Sequence, residues 1–232
     1  MIDTYKMILW ARPKEESIDN QAEQLISILM ALNQIEYLKP KYQTVRRKKD
    51  AIEFDLTLEN VKRLITNKRD KQFPDLGSSI SFFTSLNDNE SAGISISIGV
   101  SNLKFINSIV IDLNWDYKKI ELKKFEELEG LFKTLIIQFK PFYGCIASKS
   151  CRDNYDEYYD DINCKPKAIF DMNFWGHEVL KNLKMDNEVL SKVYEYNEVS
   201  DGCYIRILKE PLNTLDSKHM ELQQEVSKLI GI

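Results

Sequence analysis

The 232-residue sequence predicts an α+β fold: a mostly antiparallel sheet packed by about four amphipathic helices. Three observations predict it. Residues 78–114 hold three runs in series that alternate apolar and polar positions, the period of a strand with one buried face. Stretches with helical spacing bracket these runs but do not interleave with them, which argues against regular β-α-β winding. No internal repeat, low-complexity linker or sharp composition break divides the chain, so a single domain over 1–232 is expected.

The elements follow in order. Residues 4–10 are short, aromatic and apolar and read as an opening strand, ended by Arg12-Pro13. Ser17 then precedes Ile18, Ala22, Leu25, Leu29 and Leu32, whose spacings of three and four form one helix face with Ser17 as N-cap. Asp55 or Thr57 can cap a second helix facing inward through Leu58, Val61, Leu64 and Ile65. In the central meander, Ile80 and Phe82, then Ile94, Ile96, Ile98 and Val100, then Ile109, Ile111 and Leu113 keep a period of two. Turn-like segments at 87–90 and 101–104 separate the runs. Residues 122–139 make a long helix with Phe125, Leu128, Leu131, Phe132, Leu135 and Ile136 inward, stopped by Lys140-Pro141. Strands are expected at 142–148, 168–173, 192–196 and 203–208. A terminal helix capped by Ser217 would face the sheet through Leu222, Val226 and Leu229.

Composition bounds the chemistry. A net charge of −4 excludes an overall basic nucleic-acid binder while leaving room for a local patch. Residues 1–76 hold 14 Lys/Arg against 12 Asp/Glu, a net of +2, which leaves −6 for the remainder. The chain has no apolar run long enough to span a bilayer, no secretory signal and no disulfide-like cysteine spacing, so a cytoplasmic, reduced protein is expected.

Cys145, Cys151, Cys164 and His177 cluster in sequence without the short Cys-x-x-Cys pairs of structural zinc, so neither a metal nor any other cofactor is expected. Cys145 or Cys151 with His177 is the one thiol–imidazole pairing an unrecognised enzyme could use, and no local signature supports it. Phosphate-cradling glycine loops, Gly-x-Ser-x-Gly and His-Glu-x-x-His are absent, so the expectation is not an enzyme, with no catalytic residues. Residues 39–49 carry six bases and no acid, with Tyr42 among them; they could bind phosphate, but read better as a solvated connection. Direct nucleic-acid binding is therefore not expected, nor is a membrane partner.

The stretch 152–161 is more unusual. After Arg152 it holds Asp153, Tyr155, Asp156, Glu157, Tyr158, Tyr159, Asp160 and Asp161, with no further base. Tyrosine gives rigid contact area and clustered carboxylates steer cationic partners, so these residues are the candidate partner-binding surface. The plainer alternative is a solvated acidic loop whose tyrosines pack back on the sheet. Trp175 is a further candidate anchor.

Read end to end, the chain resembles the Immunity protein 52 family of bacterial polymorphic-toxin systems. The residues that carry this are Trp10-Ala11-Arg12, Glu16-Ser17, the helix exit from Ala31-Leu32 to Tyr42, and the segment from Arg46 to Ala51. The strands of 77–107 with Gly99 and Asn107 continue the match, as do the segment from Lys140 to Gly144 and Asn173-Phe174-Trp175. Asp201-Gly202, Glu210-Pro211 and His219 complete it. The resemblance implies an α+β immunity protein that neutralises a cognate toxin, a nuclease by the family's associations, through stoichiometric protein–protein contact. It carries over no catalytic residue and leaves homo-oligomerisation open.

Overall fold

The computed structural model describes residues 4–45, 48–113, 122–153, 159–161 and 163–232. The fold is α+β, with a large antiparallel sheet of nine strands. Among the described residues there are seven α-helices, four of them of seven residues or more. Contacts divide the chain into two compact units. Unit 1 comprises Met1–Met7, Trp115–Ile137 and Pro141–Ile232; unit 2 comprises Ile8–Asn114 and Gln138–Lys140. Strand β1 (Tyr5–Ala11) begins in the first and ends in the second.

Unit 2 contains the meander. Strands β2 (Tyr42–Gln43), β3 (Ser78–Phe83), β4 (Gly93–Ile98) and β5 (Asn107–Leu113) lie in the order β5-β4-β3-β2, all antiparallel. The register sets Ile80 opposite Ile96 and Ile96 opposite Ile109, so the alternating isoleucines form one buried face. Ser79 and Ser95 stay exposed on the other face, where the Ser81 and Ser95 hydroxyls share a hydrogen bond of 3.2 Å. Helix α1 (Ile18–Asn33) starts where its sequence says it must: Ser17 Oγ accepts from the Asn20 N–H. Helix α2 (Leu58–Lys68) is capped by Thr57 rather than Asp55, and it buries Val61, Leu64 and Ile65. Leu58 differs from expectation and is 38% exposed, because it opens the helix before the buried stripe begins.

Just past β4, Gly99 takes φ +74° and lies against the buried Gln21 side chain of α1; a Cβ there would sit 2.3 Å from Gln21 Oε1. Both the backbone conformation and the close approach require glycine. Asn107 fixes the neighbouring loop, accepting from the Val100 N–H at 2.9 Å and donating to the Arg12 carbonyl at 3.1 Å.

Unit 1 orders its other main-sheet strands β10-β11-β9-β6. These are β6 (Tyr143–Ser148), β9 (Met172–Gly176), β10 (Glu195–Val199) and β11 (Gly202–Arg206). Strands β6, β9 and β11 are buried along their whole length, so they show no alternation. Helix α3 (Leu122–Phe139) buries the six predicted inward residues. The strand expected at 168–173 begins four residues later. Asn173 accepts from the Phe170 N–H and returns a bond to the Phe170 carbonyl, both 2.9 Å, closing residues 170–173 into a clasp instead of a ladder. The strand expected at 192–196 starts three residues later, as β10, because helix α6 (Asn187–Lys192), capped by Asp186, runs through Lys192. The terminal helix α7 (Ser217–Ile230) is capped by Asp216, not Ser217, and buries Gln223, Val226 and Ile230 instead of the Leu222–Val226–Leu229 stripe. No helix among the described residues is long and apolar enough to cross a membrane.

Candidate functional site

The acidic, tyrosine-rich segment leaves the core strand β6 through a capped turn. Ser148 Oγ accepts from the Cys151 N–H at 3.2 Å and starts the four-residue helix α4 (Lys149–Arg152). Asp153 ends that helix, donating its N–H to the Lys149 carbonyl at 2.8 Å and pairing its carboxylate with the Lys149 ammonium. Tyr155, Asp156, Glu157 and Tyr158 lie outside the described residues. The chain re-enters as β7 (Tyr159–Asp160), paired antiparallel with β8 (Lys165–Pro166). Tyr159 is 7% exposed, with its ring 5.4 Å from those of Phe142 and Tyr143, so this tyrosine packs back on the sheet. Asp160 accepts from the Asn163 backbone at 3.0 Å and from its side-chain amide at 2.8 Å. That clasp lets Cys164 turn the chain at φ +49°. Asp161 is exposed.

The two ends of the segment are therefore fixed, and its described carboxylates differ in burial: Asp153 and Asp161 are exposed, while Asp160 is half-buried. Asp160 borders a cavity of about 520 Å³ with Asn163, Lys165, Lys167 and Asn182. The remaining sequence-predicted site residue is Trp175. It sits in β9 with no exposed surface, opposite Tyr143 and Cys203, and serves the core.

The remaining candidates separate in the same way. Of the thiol–imidazole candidates, Cys145 and Cys151 are both fully buried while His177 is exposed, and burial pushes the Cys145 thiol up to about 12, the reverse of what a nucleophilic thiolate needs. Among the described residues no three His, Cys, Asp or Glu side chains converge as a metal site. In the basic stretch, Lys39 and Lys41 both pair with Glu36, at 2.6 and 3.3 Å, and Tyr42 of β2 stacks on Phe83 of β3. Arg46 and Arg47 lie outside the described residues.

Two features were not singled out by sequence reasoning. Asp171 is buried in unit 1, its Oδ1 accepting from the Leu212 N–H at 2.7 Å and from the Tyr5 hydroxyl at 3.4 Å; burial raises its carboxyl to about 7. The second is the β10–β11 hairpin. Residues 194–201 carry Glu195, Glu198 and Asp201 with Tyr194 and Tyr196 and no base, a smaller version of the acidic, tyrosine-bearing segment at 153–161. That similarity is visible in the sequence, where the alternation of a strand masks it.

No family model matches this chain, and no curated protein matches its sequence. Among solved structures it superposes on a type VI secretion system (T6SS) protein of Pseudomonas aeruginosa with a TM-score of 0.63 and 11% identity. The superposition covers 98% of this chain and 76% of that one. The two share a fold. At that identity the likeness carries architecture alone.

Proposed function

We propose that this protein is a cytoplasmic immunity protein that binds a cognate bacterial toxin, a nuclease, and neutralises it by stoichiometric contact. The observation that carries the reading is the fold shared with a T6SS protein, which fits a setting of secreted effectors and their inhibitors. The end-to-end resemblance to the Immunity protein 52 family supports the same role. Unit 1 holds 17 Lys/Arg against 22 Asp/Glu, a net of −5, and presents its acids beside tyrosines. A nuclease cleft is basic because it must hold phosphates, so carboxylates offered to it mimic its substrate. The raised Cys145 thiol supports an inhibitor over a thiol-dependent enzyme.

Co-expression with the product of the neighbouring gene tests the role: growth rescue together with co-purification is expected, and the absence of both with every candidate toxin would sink it. With a binding toxin in hand, Asp156→Asn, Glu157→Gln, Asp160→Asn and Asp161→Asn combined test the segment. The combined variant should bind at least about tenfold more weakly, with a shallower salt dependence. Unchanged affinity and salt slope would remove the segment from the interface and leave the role standing.

A further inference from the structure

Strand β10 ends the strand order of the sheet, and among the described residues it pairs with β11 alone. The turn that follows it fixes which of its backbone groups face β11. Ser200 and Asp201 form a two-residue turn, with Ser200 at φ +57°, so the flanking Val199 and Gly202 exchange both backbone hydrogen bonds. Alternation then aims the backbones of Glu195, Asn197 and Val199 at β11, and those of Tyr196 and Glu198 outward. The inner ladders keep the same beat: the Gly176 N–H donates to the Phe142 carbonyl at 2.9 Å, which turns Trp175 and Asn173 towards β11.

The opposite end of the strand order is closed differently. The short β2 is covered by the chain itself, through the Tyr42–Glu53 bridge and the Phe54 N–H donating to the Lys41 carbonyl at 2.7 Å. Nothing among the described residues plays that part at β10. The hairpin's charge then selects what can. Glu195 is engaged by Lys133 at 2.7 Å, while Glu198 and Asp201 are exposed and Tyr194 is 52% exposed. A second copy pairing edge to edge would bring Glu195, Glu198 and Asp201 against the same three acids, which the local field opposes. A basic strand meets the complementary charge.

We propose that β10 is a docking edge, at which an extended, lysine- or arginine-bearing segment of the toxin adds a strand and pairs with the backbones of Tyr196 and Glu198. This rests on the immunity reading and names a surface for it. Main-chain hydrogen bonds supply the pairing, the acids set partner and register, and Tyr194 and Tyr196 add rigid contact area.

Proline at an outward-facing position removes a donor without breaking the ladder to β11. Tyr196→Pro therefore separates the edge from the fold, and Tyr196→Thr keeps the N–H while removing the ring. The probe is the catalytically disabled product of the neighbouring toxin gene. Tyr196→Pro should weaken its binding by about tenfold relative to Tyr196→Thr, the scale of lost interstrand bonding. Glu198→Lys should slow association and flatten its salt dependence. Hydrogen exchange on the wild-type complex gives a readout independent of any variant's folding: the Tyr196 and Glu198 amides should gain protection. If the wild type binds while those amides stay unprotected and Tyr196→Pro binds like Tyr196→Thr, the docking edge is wrong and the immunity role survives. If the wild type binds no candidate toxin, both fall.

Discussion

Asp171 keeps a carboxyl group where water does not reach, so its protonation is coupled to folding. Its carboxyl is raised to about 7 by burial, with the Leu212 N–H and the Tyr5 hydroxyl only partly offsetting that cost. An unfolded Asp titrates near ~4, so between the two values the folded state holds a proton that the unfolded state has released. Stability from this group is full below about pH 4, falls as pH rises, and levels off above about 7. Denaturant titrations near pH 5 and near pH 8 should differ by about 3 kcal/mol more in the wild type than in Asp171→Asn, which keeps the acceptor for Leu212. An equal difference in both proteins would show that Asp171 ionises without cost. Nothing in the sequence distinguished this acid from its many exposed counterparts, since burial is a property of the assembled sheet. Trp175 shows the converse. Large aromatics suit both interfaces and cores, and only the five-residue buried strand around it decides for the core.

Elements were legible wherever one local signal dominated. Ser17 and Thr57 cap their helices through the side-chain oxygens expected of them, and the 78–114 runs pair in the register that their isoleucines dictate. Legibility failed where a side chain from elsewhere intervened or where periodicity was shared. The Asn173 clasp delayed β9, and α7 turned by one position to bury Gln223, whose amide donates to the Ile169 carbonyl at 2.6 Å. The β11–α3 ion cluster is another case that only assembly reveals. Arg206, 3% exposed, pairs with Glu129 and donates to the Leu208 carbonyl at 2.9 Å, while Lys133 bridges Glu129 and Glu195 at 2.6 and 2.7 Å. Burial opposes the Glu129 charge, but the Lys133 hydrogen bond and the Arg206 guanidinium outweigh it and hold that carboxyl below its usual range. Arg206→Met should cost about 2 kcal/mol by removing one of the two cations that hold the Glu129 carboxylate, and Arg206→Met with Glu129→Leu should recover part of that in a double-mutant cycle. Strictly additive losses would show that the pair does not act as a unit.

For the molecule as a whole, the acidic surplus lies in unit 1, and both of its acidic, tyrosine-bearing segments, 153–161 and 194–201, belong to that unit. Long-range attraction of a basic partner follows from that imbalance at low ionic strength and fades as salt is added. The distribution of thiols has a practical consequence of its own. Cys145, Cys151 and Cys203 are buried, whereas Cys164 is half-exposed at the turn that follows Asp161. A maleimide dye offered to the native protein would therefore attach at one position, beside the acidic segment, and at four only after denaturation. The wild-type sequence thus comes with its own single-site reporter, in which a change in dye emission would follow a partner's arrival without any engineered cysteine.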